Sequence, residues 1–152
     1  MAFTTAEAHQ DLLDTMAEAI DALALASACL AEAYEQLDEH SGDRLDEECF
    51  RPVQRAFGRA KRTYAEFAER TGNETVSFDS PSAGLASQGA AALVGRAVEA
   101  AAEADRLLAE LQDSMLPVEA GDPDLRAGLV SIREPLDGLP ARARGFLRGL
   151  GR

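Results

Sequence analysis

The chain has no tryptophan, one lysine (Lys61), two histidines, two cysteines and no basic residue before Arg44. Each scarcity excludes something. Two histidines cannot serve a ferritin-like di-iron centre, which needs a Glu three residues before each His; Ala6 and Leu37 occupy those positions. On one continuous helix, His9 and His40 would also stand roughly 46 Å apart, too far to share a metal. Nor do they allow a Ser-His-Asp or Cys-His arrangement. With 15 basic residues against 27 acidic ones the formal net charge is -12, which argues against binding nucleic acid by phosphate neutralisation. No apolar run approaches the ~20 residues that span a bilayer, so no transmembrane segment is expected. The N-terminus lacks the basic start and apolar stretch of a signal peptide, and a cytoplasmic location is the expectation. Without a secretion signal, the Asn73-Glu74-Thr75 acceptor pattern reads as chance.

What is present is alanine, leucine and acid in helical rhythm. Hydrophobic residues make up 46% of the 152 and charged residues 28%, the balance of a folded globular chain able to bury a core as one domain, 1–152. Thr4 and Glu7 have capping-box spacing. His9, Leu13, Met16, Ile20, Leu23, Ser27, Leu30, Tyr34 and Leu37 then recur at steps of three and four, bordered by Ala19, Ala26 and Ala33 on one side. The opposite face carries Asp11, Asp14, Glu18, Asp21, Glu32 and Glu35. This spacing predicts a first helix over about 5–40, closed by Gly42 as a left-handed cap.

Asp43 is the expected N-cap of a second helix, about 44–71, ended by Gly72, with a seam of Phe50, Val53, Phe57, Ala60, Tyr64 and Phe67. Pro52 inside it removes the bond back to Glu48 and predicts a kink. Arg51, Arg55, Arg59 and Arg62 form a basic stripe suited to flank the acidic first helix. Residues 73–79 lose periodicity. Ser80-Pro81 then reads as a helix start, giving a third helix to about Met115 with Ala86, Ala90, Leu93, Ala97 and Leu107 on its face. Asp122-Pro123 repeats that signal for a fourth helix, about 123–150, whose seam keeps its phase across Pro135, Gly138 and Pro140, so a kink is expected rather than a full break. The sum is an all-α, antiparallel up-down-up-down four-helix bundle with kinked second and fourth helices. Hairpin duplication is a live alternative to coincidence, because the second and fourth seams superpose at a shift of 79 and the first and third at 77.

Candidate chemistry is thin. Ser27, Tyr34 and Tyr64 place polar atoms on the seams, and His9 sits at the open end. These four are the candidate pocket or interface residues, against the plainer role of satisfied core hydroxyls and an end-layer ring. Glu18-x-x-Asp21, Glu35-x-x-Asp38 and Glu110-x-x-Asp113 resemble in spacing the Mg²⁺-binding acid pairs of all-α nucleotide pyrophosphohydrolases, although any acid-rich helix produces this spacing. Cys29 and Cys49 fall about 7 Å out of register on the first hairpin and read as reduced, buried thiols. At the end, Arg142, Arg144, Arg148 and Arg152 alternate with Phe146, Leu147 and Leu150, a candidate docking tail for a partner or anionic surface, or simply the last helix of the bundle. No cofactor or metal is expected. A non-enzymatic interaction or scaffold protein, self-associating or binding a protein partner, leads over a small-ligand or metal-dependent enzyme with a pocket between helices.

Overall fold

The computed structural model describes residues 4–84 and 88–150; Ala86 of the expected third seam and Arg152 of the tail lie outside them. The protein is all-helical, with no strand among the described residues. The first helix, α1 (Thr5–Glu35), begins with the capping box: the Thr4 hydroxyl accepts the Glu7 amide at 3.1 Å and the Thr4 amide reaches Glu7 Oε2 at 3.2 Å. It stops short of Gly42. Asp38 instead caps a short α2 (Glu39–Leu45), its carboxylate accepting the Ser41 amide at 2.8 Å. Gly42 is therefore an interior residue of α2 rather than a left-handed cap, and Asp43 caps nothing. Gly42 also sits under the Tyr34 ring, where an added Cβ would meet Cε2 at 3.2 Å.

Where a kink was expected at Pro52, the chain widens into a π turn, Asp46–Phe50, and continues as α3 (Arg51–Thr71). The Arg51 amide reaches back five residues to the Asp46 carbonyl. The wider turn accommodates a proline that can neither donate nor tolerate the Glu48 carbonyl close to its ring. Gly72 closes α3 in the left-handed conformation, φ 70°.

The third helix departs most from expectation. Residues 73–84 are not helical, and α4 (Ala90–Asp113) begins only after Gly89. The Ser80-Pro81 start fails because the glycines at 84 and 89 weaken any helix there. Gly84 sits at φ 102°, outside helical space. This changes the topology. A connection of 17 residues (73–89) can span roughly 56 Å when extended, more than the roughly 46 Å of α1. It runs the length of the molecule: Tyr64 Oη accepts the Val76 amide at 3.1 Å near one end, and Gln36 Nε2 donates to the Gln88 carbonyl at 2.9 Å at the other. Consequently α4 descends beside α1, and its most extensive contact is with α1. Asp11, Thr15 and Glu18 meet Leu107, Glu110 and Ser114 at the lower end. These contacts make α1 and α4 antiparallel neighbours, whereas an up-down-up-down order would set them parallel.

Met115, at φ 67°, turns the chain into α5 (Leu116–Glu119), between the expected third and fourth helices. Asp122 then caps α6 (Pro123–Arg133), accepting the Leu125 amide at 2.7 Å. The fourth segment is broken, not kinked. A 3₁₀ turn, Glu134–Leu136, leads to an extended Asp137 and to Gly138 at φ 73°, and α7 (Leu139–Leu150) follows. The break lets the two pieces choose different partners: α6 lies on α3, and α7 lies on α4 and the π turn. Of the residues spaced to form their seam, Leu125, Leu129, Ile132, Leu136, Leu139, Ala143 and Phe146 are buried and Leu150 is half-buried.

One apolar cluster joins all the long helices. On α1 it is wider than the seam, because Leu12, Ala19, Ala26 and Ala33 are also fully buried. A helix flanked on two sides hides two stripes rather than one. No helix of the described residues is long and apolar enough to cross a membrane.

Candidate functional site

The four polar residues singled out on the seams do not converge. His9 is half-buried at one end, its ring edge-on to Phe67 at 5.5 Å. Arg70 lies over the same Phe67 and forks onto Asp122 at 2.7 and 3.0 Å, so His9 belongs to an end layer joining α1, α3 and α6. That pair holds the Asp122 carboxyl below the usual carboxylate range, chiefly through the Arg70 hydrogen bond and then through the Leu125 amide. Tyr64 is buried and anchors the crossing linker, its ring edge-on to Phe78 at 5.2 Å. Tyr34 is 40% exposed at the other end of α1.

Ser27 is not in the bundle interior. It lies in a groove of about 320 Å³ between α1 and α3, where the linker residues Phe78–Pro81 pass over Ala24, Ala28, Phe50 and Phe57. Its hydroxyl accepts from Gln54 Nε2 at 2.8 Å. Lys61 stands at the same groove with its ammonium 4.1 Å from the Phe57 ring centre. This groove combines two aromatic faces, a cation and a hydroxyl, which suits a small amphiphile better than a reaction needing paired acids or a nucleophile with its base. Periodicity alone could not find it, because its roof comes from a segment without periodicity.

The basic stripe of α3 does not pair with the acids of α1. Arg51 binds Asp46 at 2.8 Å and Arg70 binds Asp122, while Arg59 Nη1 donates to the Ser131 carbonyl at 2.8 Å. That carbonyl lost its amide partner to Pro135, four residues on. Arg142 does the same for Pro52: its Nε donates to the Glu48 carbonyl at 3.0 Å, while Nη1 and Nη2 reach the Asp137 and Pro135 carbonyls at 2.8 and 3.2 Å. Of the stripe, Arg59 and Arg62 line a groove with Ala127, Gly128 and Ser131 of α6, where Arg59 serves the one carbonyl left by Pro135.

In the tail, Phe146 is buried beneath the Arg44 guanidinium, 5.7 Å from its ring centre, and Leu147 and Leu150 pack partly on the core. Arg144 and Arg148 are left exposed. Cys29 and Cys49 are buried and unbonded, and burial pushes the Cys49 thiol up to about 11. Among the described residues, no group of three His, Cys, Asp or Glu stands together as a metal site. Compared with family models, with curated proteins and with solved structures, the chain finds no match.

Proposed function

We propose that the protein is a non-enzymatic interaction or scaffold module of the cytoplasm, a single four-helix bundle that works through its outer faces and self-associates. One observation carries this reading. The described core is filled by aliphatic side chains, alanines, two phenylalanines, the Tyr64 ring and two thiols, with no charged side chain among them, so polar recognition belongs to the surface. The bundle architecture is supported by the ring of contacts α1–α3–α6/α7–α4–α1, in up-down-down-up sense. That sense is compatible with hairpin duplication, since a two-fold axis perpendicular to the helices would exchange α1 with α4 and α3 with α6–α7 as antiparallel pairs.

The alternative, a small-ligand protein, is supported by the groove under the linker with Phe50, Phe57 and Lys61. Thermal melting separates the two. Melting that rises with protein concentration over roughly a hundredfold range supports self-association. Stabilisation by several degrees from a single small molecule or metal, at constant oligomeric state, overturns it in favour of the ligand-binding alternative.

A further inference from the structure

Across α1 from the linker, α1 and α4 enclose a second groove of about 360 Å³. Leu107, Leu111 and Leu116 form its apolar floor, and Asp11 and Glu18 stand on its α1 bank. On the opposite bank Glu110 is already taken by Arg106 at 2.7 Å. The side chains of Asp11 and Glu18 have no hydrogen bond or ion pair among the described residues. At the turn that supplies Leu116, Met115 and Val118 are 52% and 55% exposed. An apolar floor ending in exposed aliphatic side chains, beside an unneutralised acidic bank, is the complement of a helix with leucine-type anchors at i, i+3 and i+4 and lysine or arginine along one flank.

We propose that the α1–α4 groove docks a cationic amphipathic helix of a partner protein, its apolar stripe on Leu107, Leu116 and the neighbouring Val118 and its cations against Asp11 and Glu18. This deepens the interaction reading and rests on it. The net charge of -12 steers such a partner toward the molecule, and the groove fixes where it lands.

The probe is a fluorescein-labelled helical peptide of leucine and lysine, with a leucine–glutamate peptide of the same pattern as control, titrated by anisotropy at two salt concentrations. The proposal expects binding of the lysine peptide only, weakened about tenfold by the double variant Asp11→Asn/Glu18→Gln. Glu32→Gln/Glu35→Gln removes the same charge from a pair that begins roughly 21 Å beyond Glu18 along α1 and should change the affinity less than about threefold. Met115→Ser/Val118→Ser should weaken binding about as much at high salt as at low salt, since that contribution is apolar. Equal losses from the two carboxylate pairs would show diffuse charge attraction and overturn the groove. So would the absence of binding, or serine variants that abolish self-association while leaving peptide affinity unchanged, which would assign the face to a second copy. If the chain still self-associates by sedimentation when the peptide fails to bind, the groove falls and the interaction reading stands.

Discussion

Between α1 and α4 the fit is made by small side chains: Ala19, Ala26 and Ala33 on one helix and Ala97, Ala101 and Ala104 on the other are buried, in helices without an internal proline. Between α3 and the α6–α7 layer arginines supplement the apolar packing, because Pro52 and Pro135 each leave a carbonyl without its helical donor. Arg142 and Arg59 fill those positions from the opposite element. At Gly128 the α3 and α6 backbones approach so closely that a Cβ would stand 2.5 Å from Thr63 Cγ2. One half is held by close packing, individually weak and non-directional contacts summed over many atoms. The other adds to its apolar packing a few directional bonds whose loss leaves partly buried carbonyls unpaired. Interrupted helices survive in a core only where another element supplies the missing donors.

The largest expected effect lies in the interrupted half. Phe146→Ala removes one of the largest fully buried side chains and should cost about 3–5 kcal/mol in urea unfolding, by cavity formation. In the alanine half the vulnerable direction is the reverse: Ala26→Leu inserts volume where Ala26 is fully buried and should cost about 1–3 kcal/mol or more. If Ala26→Leu is neutral, the two long helices are not closely packed there.

The arginine account is tested by a double-mutant cycle. Arg142→Ala should cost about 1–3 kcal/mol, and less on a Pro52→Ala background, where residue 52 regains an amide that can serve the Glu48 carbonyl. Additive effects would mean that Arg142 does not act through the Glu48 carbonyl. The smallest effect belongs to the end layer. Asp122→Asn keeps a capping side chain but loses the charge facing Arg70, costing about 0–1 kcal/mol at neutral pH. Because the Asp122 carboxyl is held below its usual range, its contribution is present above the unfolded value of about 4 and lost as pH falls through the lower folded value. The gap between wild type and Asp122→Asn should therefore close on acidification. A gap that is constant with pH would remove the ion pair from the account.

Local signals were legible where one side chain and its nearest amides settle the matter. The Thr4–Glu7 box, the Gly72 cap and the Asp122-Pro123 start involve residues within five positions of each other. The spacing points to Asp43 as the second cap, whereas Asp38, an equally good capping residue, starts the helix five residues earlier, and Tyr34 packs on Gly42 within it. Of the candidate residues, Ser27 and Tyr64 meet the linker, Ser27 in the groove beneath it and Tyr64 through Phe78, while His9 and Tyr34 lie at opposite ends. That linker has no period to read.

By itself the sequence determined that the chain is helical, which faces of its helices are apolar, and that a proline such as Pro52 within a helix leaves the carbonyl four residues before it, here Glu48, without a donor. These follow from spacing and from the missing proline amide. Only the tertiary structure decided that α4 runs antiparallel beside α1, that the fourth segment splits onto two partners, and that Arg142 and Arg59 supply the missing bonds. The reason is one of range. A helix is specified by neighbours a turn away, whereas chain direction depends on how far an aperiodic connection reaches, and a carbonyl without a helical donor accepts any guanidinium that folding brings near.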